Sequence, residues 1–276
     1  MIFGGLVLFI LSCCFYVIFQ VKNKSFYRKS GFFSLCFGFL LIGLELVLAS
    51  FDSGYISAFG VRNVLIISAF SVSFFFLLLF IKFKIDLVGA AVSFFCVFLT
   101  GAALFFDKTQ YLGQEDFNIF MTALHVFFTF FANAAFFTAC VIGLFYVVQE
   151  QNIKLKKHGI IFKRLPSLEL LESSGNFCIT WGFFFLTIGL GIGVVASKQT
   201  FGSFLMMDAK EVWSFLVWLL YAALIHGRLT SRWRGKKAAV MAIIGFFIVV
   251  FSFIGINIFM DTTHGEYFLG KLIIRG

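Results

Sequence analysis

One proline in 276 residues, Pro166, and charged side chains at only 13% leave little of the material from which a water-soluble domain is built. With 61% hydrophobic residues and a mean hydropathy of +1.01, polar surface is too scarce for a soluble domain of this size. Several spans of about 20 apolar residues account for the composition directly. Polar/apolar alternation is missing as well, and runs such as SAFSVSFFFLLLFI and GFFIVVFSFIGINIF exclude a transmembrane β-barrel. The expected fold class is therefore all-α, a polytopic bundle of membrane helices. No C-x-x-C occurs among Cys13, Cys14, Cys36, Cys96, Cys140 and Cys178, which excludes a thioredoxin-like redox pair. All six lie in apolar runs and read as small hydrophobes. No basic residue precedes the apolar run from Met1 to Val21, so the charge order is not that of a cleaved signal peptide, and a retained first span is expected. The forty-five phenylalanines are spread over every span and read as packing and lipid-facing surface.

Eight spans follow from the apolar runs: about 1–21, 31–51, 63–81, 87–106, 118–148, 177–196, 212–230 and 238–260. The fifth is long, on the order of 45 Å at 1.5 Å per residue, and should project beyond the ~30 Å hydrocarbon core. A basic loop is expected over about 150–175. Under this map sixteen lysines and arginines fall in alternate loops on one side: Lys22 to Lys29, Lys82 and Lys84, Lys154 to Arg164, and Arg228 to Lys237. Six fall on the other: Arg62, Lys108, Lys198, Lys210, Lys271 and Arg275. The positive-inside rule then puts both termini on the outer face. The formal net charge of +9 is accounted for by topology, and nucleic acid is not an expected partner. The chain divides into a four-span region, 1–117, and a second region, 118–276.

Ionisable groups at membrane depth are costly and are functional candidates by default. His125 lies near the outer end of span five, with Thr129 and Asn133 at i+4 and i+8 on the same helical face, a polar stripe expected to point into the bundle. On its own His125 reads equally as a ligand and as a histidine satisfied by a neighbouring helix. His264, in DTTHGEY after span eight, reads alone as a solvated loop residue. His226 ends span seven, where the helix dipole favours it as a cap, and His158 belongs to the basic loop. Glu45 is the acid inside span two and needs a partner if it faces inward. The stretch FGSFLMMDAKEVW, Phe201 to Trp213, places Asp208, Lys210 and Glu211 in a short connection between two apolar runs, on the same face as His125 and His264. A flat, apolar, metal-bearing ligand would suit that face.

Five blocks in order resemble the cytochrome c assembly family of membrane haem-handling proteins, in its CcsA-type and HemX-like branch. They are LHVFFTFFANAAFF, WGFFFLTIGLGIG, FGSFLMMDAKEVW, LIHGRLTSRWRGKKAA and FSFIGINIFMDTTHGEY, and they cover about Leu124 to Tyr267. The third block falls where the family has a loop of the form W-G-x-x-W-x-W-D-P-K-E-x-W. Phe201, Leu205 and Met207 stand where the loop has tryptophans and Ala209 where it has proline, while Gly202, Asp208, Lys210, Glu211 and Trp213 match. The substitutions keep an apolar floor and lose indole planes and N–H donors. The family's early inner histidine has no counterpart, since none precedes His125.

The resemblance implies that His125 and His264 are axial ligands of the iron of a non-covalent haem b, held against a haem loop of Phe201, Gly202, Phe204, Leu205, Met207, Asp208, Lys210, Glu211 and Trp213. His226 would be an inner-side haem contact, and Lys198 and Lys210 would reach propionates. Two imidazoles on one iron are sound chemistry. Two functions are compatible with it. One is holding haem at the outer face for delivery to apocytochrome c, with a partner subunit that supplies an extracytoplasmic domain. The other is HemX-like control of tetrapyrrole synthesis through glutamyl-tRNA reductase, with the basic 150–175 loop as contact surface. That loop is equally explained by anionic membrane lipid. No catalytic residue is assigned, so an enzymatic role stays open, as the membrane component of a haem-attachment complex. The implied location is a bacterial cytoplasmic membrane.

Overall fold

The computed structural model describes residues 1–53, 60–106, 119–156, 159, 164–204, 208–230 and 233–259. Eight helices among them are long and apolar enough to cross a membrane. They are α1 (Ile2–Lys22), α2 (Ser25–Ser53), α3 (Gly60–Phe83), α4 (Asp86–Ala103), α5 (Ile119–Lys154), α6 (Leu168–Phe201), α7 (Ala209–Thr230) and α8 (Lys236–Val250). A π turn, Phe251–Gly255, and a short α9, Ile256–Phe259, continue α8. The eight expected spans are all present, with shifted bounds. The second helix starts at Ser25, so Arg28 and Lys29 lie in its first turns. The expected 150–175 loop is cut back at both ends, because α5 runs to Lys154 and α6 starts at Leu168. Polar residues at both helix ends stay in register once the apolar part of each helix is fixed, since propagation adds a hydrogen bond per residue. The lone proline stands just outside α6, and Ser167 caps that helix by accepting the Leu170 N–H at 3.3 Å.

Successive helices are antiparallel. Thirteen of the sixteen described lysines and arginines therefore gather at one end of the bundle, the basic end, and Arg62, Lys198 and Lys210 at the other, which also holds His125 and is called the histidine end. Buried polar groups join the first four helices: Ser12 on α1 shares a 2.8 Å hydrogen bond with Ser93 on α4 and donates to the Gly31 carbonyl on α2 at 2.8 Å. Glu45 finds the partner that its sequence demanded, with Arg62 Nη2 of α3 at 3.8 Å and the Met1 amino group at 3.5 Å. All six cysteines are free thiols, in line with their reading as hydrophobes.

α5 is the axis. Its central stretch is 72% buried, more than any other span, and its ANAAFF segment packs against α6, α7 and α8. On α6 the facing residues recur every seven positions, Gly175, Gly182 and Gly189. A Cβ at Gly182 would come within 2.5 Å of Phe136, and one at Gly189 within 2.8 Å of Thr129 Cγ2. In lipid no hydrophobic force draws helices together, so close backbone approach through small residues supplies the packing. Phe136, close against Gly182, also stacks on Tyr221 of α7 with ring centroids 3.6 Å apart, so the seam also fixes where α7 sits.

Gly182→Ala should lower stability in detergent by about 1–3 kcal/mol, the usual cost of overpacking. Gly191→Ala, on the same helix with nothing within 4 Å of the new methyl, should be neutral or mildly stabilising. Thermal unfolding of the two variants side by side checks this, and equal melting temperatures would contradict the seam.

Candidate functional site

His125 stands about two turns into α5 and is half-buried. Its Nδ1 lies 2.7 Å from the Gly189 carbonyl of α6. A carbonyl only accepts, so the ring donates from Nδ1, and this tautomer puts the remaining lone pair on Nε2. The contact depends on glycine at the next turn of α6: a Cβ at Gly193 would lie 2.7 Å from Nδ1 and 2.8 Å from Cε1. Thr129 lies one turn below against the same helix and turns its hydroxyl back to the His125 and Val126 carbonyls, at 2.8 and 3.0 Å. His125 and Thr129 of the expected polar stripe thus face α6.

The stretch expected as a haem loop is mostly helix end. Phe201 is the last residue of α6, and Gly202, at φ 75°, closes it with its N–H on the Lys198 carbonyl at 3.1 Å. Lys198 Nζ donates to the Gly202 carbonyl at 2.7 Å and lies 5.1 Å over the Phe204 ring, and Ser197 Oγ donates to the Ser203 carbonyl at 3.0 Å. Asp208 is the N-cap of α7: its Oδ1 accepts the Glu211 N–H at 2.9 Å, and its carbonyl accepts the Val212 N–H at 3.2 Å. Glu211 then sits in the first turn, where the helix dipole favours negative charge. Ala209 occupies the first helical position, where proline is favoured for its preset φ but not required.

Lys210 points the other way, into the bundle. Its Nζ donates to the Ser252 carbonyl at 2.6 Å and lies 5.1 Å over the Phe253 ring. Ser252 belongs to the π turn, in which Ile256 N–H reaches the Phe251 carbonyl five residues back, and such turns recur where a helix is bent to serve a site. Trp213 meets Phe251 edge to face at 5.1 Å, and Phe253 meets Phe130 of α5 edge to face at 5.5 Å. Phe253 and Val126, the neighbour of His125, both pack against the small buried cluster of Val64, Ile67 and Phe130. The first turn of α7, the π turn and the upper part of α5 therefore form one packed unit.

Gly202, Phe204, Asp208, Lys210, Glu211 and Trp213 come to the histidine end with His125. His226 does not: it is exposed near the basic end, ~25 Å along α7 from Ala209 at 1.5 Å per residue. His264, Leu205, Met207 and the side chain of Phe201 lie outside the described residues, as does His158. The sequence reading missed Gly189, Gly193, Ser252 and Phe253. The glycine repeat in GLGIG was a signal for the first two. Nothing local marked Ser252, whose role is a backbone carbonyl.

This arrangement defines a class: a multi-pass helical membrane protein with a histidine pinned to a neighbouring helix beside a capped, lysine-bearing helix start. The sequence profile of the cytochrome c assembly protein family matches residues 40–264, and the chain belongs to that family. The match begins well before Leu124, so it takes in α3, α4 and part of α2 as well as the expected region. Among curated proteins, cytochrome c biogenesis protein CcsA of Prochlorococcus marinus (strain NATL1A) is 34% identical over 164 residues, 59% of this chain and 48% of that protein. The protein of the same name from Pyropia yezoensis is 38% identical over 111 residues, 40% of this chain and 34% of that one. That of Cyanophora paradoxa is 36% identical over 114 residues, 40% and 35% of the two chains. The chain spans about half the length, or less, of these relatives.

Asp208→Ala should cost about 1 kcal/mol by loss of the cap, and Asp208→Asn only a few tenths, because an amide oxygen still accepts. Thermal unfolding of both variants checks the cap. Histidine ¹⁵N spectra should show His125 as the Nδ1–H tautomer, and Gly193→Ala should perturb that resonance.

Proposed function

We propose that this chain is a membrane haem-holding protein of cytochrome c biogenesis, keeping haem b at the histidine end for delivery to apocytochrome c. The observation that supports the reading is the Nδ1–H bond of His125 to the Gly189 carbonyl. Histidines that ligate metals characteristically donate their second ring nitrogen to a carbonyl or carboxylate, which sets the tautomer and aims the other nitrogen. The donor chemistry at His125 thus fits an iron-bearing ligand. His264, in the sequence that follows α9, is proposed as the second imidazole that would hold the iron. When bound, haem supplies an iron that takes two imidazoles and vinyl groups that react with cysteine thiols on the recipient. This chain's own residues bind and orient it.

Asp208 fixes the start of α7 and Gly202 the end of α6. Phe204 and the exposed faces of Phe120 and Phe127 give this end apolar surface suited to a porphyrin. Lys198 holds its own helix end through the Gly202 carbonyl, and breaking that local bond would release it toward a propionate. The assembly sits in a membrane as a multi-pass protein. By the positive-inside rule its basic end faces the cytoplasm and the histidine end the opposite side, in a bacterial cytoplasmic membrane. The recipient, or a partner subunit with an extracytoplasmic domain, would dock there.

Purified full-length protein reconstituted with haem should show a Soret band. His125→Gly should lose or shift it, and added imidazole should restore it. His264→Ala should shift it in the same sense. A wild-type protein that takes up no haem, or a spectrum unchanged in both variants, would overturn the assignment.

A further inference from the structure

Two chain reversals and the segment leading into α6 meet at the basic end, and a cavity of about 220 Å³ lies between them. The α1–α2 reversal passes through Asn23 (φ 53°) and the α3–α4 reversal through Lys84 (φ 52°). Each left-handed residue closes its helix in the same manner: Asn23 donates its N–H to the Phe19 carbonyl at 2.9 Å, and Lys84 donates to Phe80 at 3.0 Å. Because α1 packs antiparallel to α4 through Ser12 and Ser93, the two reversals lie side by side. The segment leading into α6, with Arg164 and Pro166, closes the third side.

The lining carries both signs of charge. Lys84 and Arg164 are positive, Asp86 is negative, and Gln20 and Asn23 add amides. Among the described residues neither cation forms an ion pair, with Asp86 or with any other acid. Arg28 acts on Asp86 only at longer range. Asp86 Oδ1 is sealed from solvent and has no hydrogen-bond partner. An orphaned carboxylate oxygen is expensive, and opposite charges that share a cavity without meeting are arranged for something between them. Depth narrows the choice. The cavity sits where α1 and α3 end, at Lys22 and Phe83, and where α4 and α6 begin, at Asp86 and Leu168. That level is the headgroup layer outside the hydrocarbon core.

We propose that this cavity holds the phosphoethanolamine headgroup of a membrane phospholipid, its phosphate between Lys84 and Arg164 and its ammonium on Asp86. The phosphate meets two charge-bearing donors, and the ammonium supplies the ion-pair partner that the Asp86 carboxylate lacks among the described residues. Choline carries the same charge without an N–H donor, and the hydroxyls of a glycerol headgroup donate without bringing a positive charge, so neither meets the carboxylate with a charged donor. The bound headgroup ties the α1–α2 and α3–α4 reversals to the start of α6, and so joins the first four helices to the α5–α6 pair. The inference does not rest on the histidine end.

The test is native mass spectrometry of the full chain released from nanodiscs of equal phosphatidylethanolamine, phosphatidylcholine and phosphatidylglycerol. The wild type should retain phosphatidylethanolamine about tenfold over each of the others, the size expected for one charged hydrogen bond. Asp86→Asn should lose the preference over phosphatidylglycerol, while Lys84→Met with Arg164→Met should lose retention of all three. Equal retention of the three lipids by the wild type would overturn the proposal, as would an undiminished preference in Asp86→Asn. If Asp86→Asn fails to fold, the wild-type preference and the double methionine variant decide. Tighter binding of free O-phosphoethanolamine than of phosphatidylethanolamine to the delipidated protein would overturn the lipid source and assign the same chemistry to a soluble ligand.

Discussion

The backbone approach of α5 and α6 is the constraint on which the rest of the bundle depends. Two helices of this length have little reason to associate in hydrocarbon, where both faces are equally well solvated by lipid tails. Glycine every seventh residue on α6 lets the α5 side chains Thr129 and Phe136 press against its backbone. Dispersion contacts along that line, small singly, accumulate over the whole seam. The heptad spacing keeps the two helices in contact over their length, as in a coiled coil. At its lower part the seam delivers Phe136 to Tyr221 and positions α7. At its upper part it delivers the Gly189 carbonyl to His125. One packing rule therefore governs both the architecture and the orientation of the candidate ligand.

The histidine end is built from helix termini, and the reason is electrostatic as well as geometric. A helix start offers unpaired N–H groups, of which Asp208 accepts that of Glu211, and the dipole favours the Glu211 carboxylate in the first turn. A helix end offers carbonyls, which Gly202 and Lys198 satisfy at α6. The π turn of α8 adds one more carbonyl, at Ser252, and Lys210 reaches it across 42 positions of sequence. The polar residues shared with the family's loop thus hold the frame, and apolar residues stand where indoles line that loop. A haem-holding role then rests on the pinned imidazole and the apolar faces around it.

The two ends of the molecule differ in kind. At the histidine end described charges are few, and Lys198 and Lys210 are each engaged with a carbonyl. At the basic end charge is plentiful, and Lys84, Asp86 and Arg164 form no ion pair among the described residues about a polar cavity. Both arrangements follow from antiparallel hairpins, which alternate the reversals between two membrane faces. The basic residues that orient such a protein in the membrane therefore also stand where lipid headgroups can be gripped.

Apolar run lengths alone determined that the chain is an eight-span helical bundle, because only a helix satisfies its backbone inside hydrocarbon. The placement of Asp208, Lys210, Glu211 and His125 toward one end was equally legible, since alternate connections must share a face. What each of these residues does was not. Whether Asp208 contacts a ligand or caps a helix depends on where α7 begins, and helix bounds move by several residues when tertiary packing extends a span, as at Ser25 and Leu168. The partner of Lys210 is a carbonyl 42 residues away, and the partner of His125 is a carbonyl 64 residues away. Every residue carries the same carbonyl, so side-chain chemistry could not single these two out. Only the packing of α5 on α6, and of α7 on the π turn, brought them within reach.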